Sequence, residues 1–184
     1  MRIVVGISGA SGVVLGARLL EALADDHEVH LVVSKAALRT LEYEASKGIA
    51  LPCKRRYEPT DLAAPIASSS FRIDGMAIVP CSLKTLGTIA AGIGDDLLSR
   101  AAENALKMRR RLVLMVRETP LSLIAIENMR AVTLAGAIVL PPAAAYYHRP
   151  RTLSDMNDFF VGKVLDALDI ENNLYRHWEG PEEE

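Results

Sequence analysis

The sequence predicts an α/β fold, a Rossmann-like or flavodoxin-like three-layer arrangement around a mainly parallel sheet. Two observations carry this reading. Short β-branched apolar runs alternate with longer Ala/Leu-rich segments of helical pattern along the 184 residues, the order expected of a parallel sheet covered by helices on both faces. The opening run, Val4-Val5-Gly6-Ile7-Ser8-Gly9-Ala10-Ser11-Gly12, passes from a strand through small residues into a helical segment, which is the strand–turn–helix unit of such folds.

The elements follow in order. Arg2–Ser8 is expected as the first strand and Val14–Ala24 as its helix, then Val29–Ser34 as a strand and Lys35–Lys47 as a helix. A loop rich in Pro, Ser and charge spans Pro52–Ser70, a composition that interrupts regular structure. Met76–Pro80 reads as a buried strand, with Leu83–Gly92 and Leu97–Arg110 as two helices after it. Leu112–Arg117 is the next strand, Leu121–Leu134 a helix, Ala137–Leu140 a short strand and Ser154–Leu168 the last helix. No repeat or linker divides the chain, so one domain over 1–178 is expected, ending in an acidic, disordered tail over 179–184.

Composition agrees with one core. A chain of this length with 50% hydrophobic residues buries a single sizeable core and falls short of two ordinary domains. A net charge of −2 argues against a nucleic-acid partner. The short basic clusters Lys54-Arg55-Arg56 and Arg109-Arg110-Arg111 flank apolar segments and read as solvated element ends. Cys53 and Cys81 have no metal-ligand spacing and fit a reducing, cytoplasmic setting. No apolar run has the length of a membrane span, and the chain opens on a strand rather than a signal peptide.

Chemistry is expected at the carboxyl ends of the strands, where open α/β sheets bind their ligands. The Gly/Ser turn after the first strand suits an anion, because backbone N–H groups, a helix N-terminus and a hydroxyl converge there. A nucleotide or phosphorylated cofactor is the reading, with a ligand-free tight turn as the plainer alternative. The turn has neither a P-loop Gly-Lys-Ser/Thr nor the dinucleotide G-x-G-x-x-G spacing. The other strand ends offer Ser34-Lys35, Pro80-Cys81-Ser82, Arg117-Glu118-Thr119-Pro120 and Pro141-Pro142. His27, His30, His148 and His177 show neither metal spacing nor a hydrolytic triad pattern, so no metal is expected.

Several phrases together resemble one family. Gly6-Ile-Ser-Gly-Ala-Ser-Gly12, Val33-Ser-Lys-Ala-Ala37, Ala67-Ser-Ser-Ser70, Pro80-Cys-Ser-Leu-Lys-Thr-Leu86, Leu112-Val-Leu-Met-Val-Arg-Glu-Thr-Pro120, Glu127-Asn-Met129 and Tyr146-Tyr-His-Arg-Pro150 stand in the order of the UbiX-type flavin prenyltransferases. The resemblance covers nearly the whole chain. It implies transfer of a dimethylallyl group from dimethylallyl monophosphate to reduced FMN, first at N5 and then at C6. The prenylated FMN so made would serve a UbiD-type decarboxylase. It also implies a homo-oligomer, with a dodecamer as the expected size and sites at subunit contacts.

Residue by residue, the resemblance assigns FMN to Gly9, Ala10, Ser11, Ser34, Ser82, Leu83, Lys84, Thr85, Arg100 and Arg117. The prenyl phosphate falls to Glu44, Lys107, Arg117, Glu118, Tyr147 and Lys163. Ser11, Arg117 and Glu118 are the implied catalytic residues, with Ser11 and Glu118 moving a proton and the cations holding a departing phosphate. Plainer readings stand beside these: Ser82 as a helix N-cap, Lys107, Lys163 and Arg100 as solvated helix charges, and Glu118 as an ion-pair partner of Arg117. The chain departs from common members at Leu62, where an aromatic is frequent, at Ser69 in place of Gly, and at Lys163 in place of Arg. The Lys keeps charge and loses the bidentate fork. A flavin carrier or decarboxylase-associated B subunit without transferase activity is the alternative, and a peptidyl-cysteine decarboxylase is a more distant one.

Overall fold

The computed structural model describes residues 1–44 and 48–180. The end of the helix expected over Lys35–Lys47 and most of the expected acidic tail lie outside the described residues. Six strands form one parallel sheet: β1 (Arg2–Ile7), β2 (Glu28–Val33), β3 (Arg55–Tyr57), β4 (Gly75–Cys81), β5 (Arg111–Val116) and β6 (Ile138–Val139). Their order is β3-β2-β1-β4-β5-β6, the doubly wound Rossmann order; without the short edge strand β3 it reduces to the flavodoxin order. Among the described residues six helices accompany the sheet, five between strands and the last after β6: α1 (Val13–Leu23), α2 (Lys35–Glu44), α3 (Leu83–Ala90), α4 (Leu97–Lys107), α5 (Leu123–Leu134) and α6 (Leu153–Ala167).

The alternation of side chains along β1 divides the core. Ile3, Val5 and Ile7 face one side, where Leu15, Leu19 and Leu20 of α1 and Val161, Val164 and Leu165 of α6 pack on them. Val4 faces the other side with Met76, Ile78, Leu112 and Leu114, beneath Leu97, Leu98 and Ala101 of α4 and Leu86 of α3. Strands buried on both faces explain the unbroken apolar runs from which the sheet was expected. Between α1 and β4 the layers close further than a side chain allows. A Cβ on Gly16 of α1 would lie 2.4 Å from the Val79 carbonyl oxygen, so glycine lets this helix sit on β4 itself.

The expected element order holds with one addition. β3 falls inside the segment read as the Pro52–Ser70 loop, pairing with β2 at His30, Leu31 and Val32. Two of its three residues are exposed, so no apolar run announces it; the pairing alone makes it a strand. The same segment holds a single 3₁₀ turn at Pro65–Ala67.

Candidate active site

β1 and β4 are neighbours whose connections run to opposite sides of the sheet, which opens a crevice at their carboxyl ends. A cleft of about 520 Å3 lies there. Gly9, Ala10, Ser11, Ser34, Ser82, Leu83, Lys84, Thr85, Arg117 and Glu118 all line it, so the turns after four strands meet as the strand-end rule requires.

Each turn is fixed by its own chemistry. Ser8, 1% exposed, donates from Oγ to the Pro80 carbonyl at 3.0 Å and accepts from the Ser82 amide at 2.8 Å. One buried hydroxyl therefore binds the end of β1 to the end of β4. Ser82 is the N-cap of α3: its Oγ accepts from the Thr85 amide at 3.3 Å and lies 3.1 Å from the Thr85 hydroxyl. The cap and the cleft position coexist, since Ser82 also lines the cleft. Ser34 caps α2 in the same way, accepting from the Ala37 amide at 3.1 Å. Gly9 is a packing glycine, because a Cβ there would stand 2.4 Å from the Ala36 Cβ.

The anion donors are distributed differently from the sequence expectation. The amides of Gly12 and Val13, which open α1, are taken by the Glu44 carboxylate at 2.8 and 3.1 Å. A carboxylate of the chain thus occupies the positive end of α1. The amides of Leu83 and Lys84, in the first turn of α3, have no intrahelical partner, and both residues line the cleft.

Arg117 and Glu118 do not pair. Arg117 donates from Nε to the Ser11 carbonyl at 3.2 Å, while Glu118 accepts from the Thr119 amide at 3.0 Å. Among the described residues no ion pair joins them, so the ion-pair reading of Glu118 does not describe this structure. Lys84 pairs with Asp96 at 3.2 Å. Burial of Asp96 would raise its pKa, but hydrogen bonds from the Ser99 amide and hydroxyl and from Lys84 outweigh it and hold the carboxyl below its ordinary value. Asp96, Thr40, Ala36 and Leu98 also line the cleft and were not anticipated; only the capping pattern Asp96-Leu97-Leu98-Ser99 gave a signal for the first.

The remaining implied residues lie outside the cleft lining in a single chain. Glu44 reaches its rim through Gly12. Arg100 is on α4 and pairs with Glu103 at 3.5 Å. Lys107 is exposed in the last turn of α4. Tyr147 sits in the segment between β6 and α6, edge-on to Phe159 and Trp178. Lys163 lies 3.4 Å from Asp166 and 3.2 Å from the Tyr175 hydroxyl; the Tyr175 contact, then Asp166, raises its pKa against the pull of burial. Among the described residues no group of His, Cys, Asp and Glu forms a metal site. No described helix is long and apolar enough to cross a membrane.

A doubly wound sheet with hydroxyls, unpaired amides and an arginine at its switch point suits a phosphate-bearing aromatic cofactor, so the fold and cleft define a nucleotide-cofactor-binding α/β protein. Comparison makes this specific. The Flavoprotein family model matches residues 1–168. The flavin prenyltransferase UbiX of Thauera aromatica is 50% identical over 190 aligned positions, covering 100% of this chain and 96% of that protein. The crystal structure of AnUbiX (PadA1) in complex with FMN and dimethylallyl pyrophosphate superposes with a TM-score of 0.95 at 45% identity, covering 98% of each chain. A dodecameric FMN-dependent UbiX-like decarboxylase from Escherichia coli O157:H7 superposes at 0.94 with 44% identity, over 98% of this chain and 100% of that one. The chain belongs to the UbiX-type flavin prenyltransferases.

Proposed function

We propose that the chain transfers the dimethylallyl group of dimethylallyl monophosphate to reduced FMN, at N5 and then C6, and yields prenylated FMN for a UbiD-type decarboxylase. The observation that carries this is the convergence of Gly9, Ser11, Ser34, Ser82, Arg117 and Glu118 in one cleft of a chain 45% identical to a structure holding FMN and dimethylallyl pyrophosphate. What FMN supplies when bound is an electron-rich ring.

The chain's residues divide the remaining work. Arg117, anchored by the Ser11 carbonyl, presents a cation to phosphate, whose charge grows as the allylic C–O bond breaks; the electron pair leaves with the phosphate. Glu118 carries a carboxylate that no arginine among the described residues pairs with, and it accepts the proton released on ring closure, with the Ser11 hydroxyl as its relay. The amides of Leu83 and Lys84, together with the hydroxyls of Ser34 and Thr85, orient the flavin.

A second copy would complete the site. Lys107, Tyr147 and Lys163 do not line the cleft of their own chain, and α5 exposes Leu123 (72%), Ile124 (75%) and Leu134 (72%), an apolar surface of the kind that subunits cover. We therefore assign these three side chains to a neighbour's cleft in a homo-oligomer, with the dodecamer of the Escherichia coli relative as its pattern. The unpaired Cys53 and Cys81 suit the cytoplasm.

Phosphate release tests the reaction. Dimethylallyl monophosphate should release phosphate in the presence of reduced FMN and not with oxidised FMN. No release would favour a carrier role, and release independent of flavin would mean hydrolysis by water rather than transfer.

A further inference from the structure

A second cleft, of about 540 Å3, opens at the amino edge of the sheet, the end opposite the flavin cleft. Its walls are the segment leading into β4 and the end of α4 where the chain enters β5. Ile66, Ile73 and Met108 give it an apolar lining, and Arg72, Arg110 and Asn104 add polar groups.

Asn104 is the informative residue. It is 5% exposed on a helix face otherwise buried through Leu97, Ala101 and Ala105. Its Nδ2 donates to the Ile66 carbonyl at 3.4 Å, which fixes the amide's orientation, because a carbonyl only accepts. Its Oδ1 is buried and has no partner. Buried polar atoms are nearly always satisfied, so an acceptor left open beside a cleft awaits a donor from outside the chain. The guanidinium groups of Arg72 and Arg110 likewise have no side-chain partner among the described residues, and both are exposed at the cleft mouth. Two unpaired cations beside a buried acceptor and an apolar wall specify a ligand with three parts.

We propose that this cleft binds a small organic monoanion with an apolar body and one hydroxyl or amino donor. The donor satisfies Asn104 Oδ1, the body packs on Ile73 and Met108, and the anionic group meets Arg110 and Arg72. The site is separate from the flavin cleft and does not depend on the reaction assigned to it.

Calorimetric titration of the FMN-saturated protein tests this with three probes: 4-hydroxybenzoate, benzoate lacking the donor, and phenol lacking the anion. FMN occupies the other cleft, and its affinity, measured alongside, reports on folding and on the flavin site separately. 4-Hydroxybenzoate should bind about tenfold tighter than benzoate, as one hydrogen bond to a desolvated acceptor implies, and tighter than phenol. Asn104→Ala should erase the preference over benzoate. Arg110→Gln, a surface change that leaves the core intact, should weaken both acids and leave phenol unaffected. No saturable binding, equal binding of the two acids, a preference unmoved by Asn104→Ala, or acid affinities unmoved by Arg110→Gln would overturn the proposal.

Discussion

Ser8→Ala removes one oxygen and, with it, the two side-chain hydrogen bonds that hold together the strand ends on which the flavin cleft is built. In the native chain the Ser8 hydroxyl donates to the Pro80 carbonyl and accepts from the Ser82 amide. After substitution the Pro80 carbonyl still accepts from the Ser8 amide at 3.1 Å, so it keeps a partner. The Ser82 amide is stranded. Loss of the acceptor of this half-buried donor costs about 1 kcal/mol, while the change in volume is too small to add a cavity term. For a domain of this size each kcal/mol lowers the melting temperature by about 2–4 °C. Ser82 also opens α3, whose first turn lines the cleft, so FMN affinity should fall together with stability. Urea unfolding gives the first quantity and titration of flavin fluorescence the second. A variant with both wild-type stability and wild-type FMN affinity would refute the account of how the cleft is held.

Other expectations follow from the same geometry. Gly16→Ala gains about 1 kcal/mol of helix propensity but drives a Cβ into the Val79 carbonyl, and overpacking of about 1–3 kcal/mol should win; a more stable variant in urea unfolding would contradict this. Glu118→Gln should retain FMN and substrate binding and lose turnover, whereas Arg117→Ala should weaken both ligands; single-turnover mixing separates them, and unchanged turnover in folded Glu118→Gln would end the proton-transfer role. Glu28 accepts from His30, Lys54 and Arg2, which hold its pKa at about 2 against an ordinary 4.5. Its folded pKa is depressed, so its contribution is complete above about pH 4.5 and is lost as pH falls through about 2. Comparing urea midpoints at about pH 3 and about pH 6 should show a smaller fall in Glu28→Gln than in wild type, and equal falls would contradict the assignment.

The sequence makes the central sheet legible because β1, β2, β4 and β5 are apolar on both faces, and long helices between them leave few topologies. β3 is not legible: Arg55-Arg56-Tyr57 acquires strand character only by pairing with β2. The meeting of the cleft turns follows from the strand-end rule. What each turn does there depends on partners distant in sequence, such as Ser8 with Pro80 and Ser82, or Glu44 with Gly12. No local pattern could show that a carboxylate from the end of α2 takes the α1 amides assigned to phosphate. Lys107, Tyr147 and Lys163 enter through resemblance alone, since the fold of one chain does not bring them together.

The mass of the flavin recovered after reaction tests the central claim most directly. Reduced FMN, dimethylallyl monophosphate and purified protein, mixed without oxygen and quenched, should yield a flavin heavier than FMN by one isoprene unit, in an amount that grows with protein concentration. Flavin recovered at the mass of FMN alone, from folded protein that binds it, would contradict the assignment of transferase chemistry to this cleft.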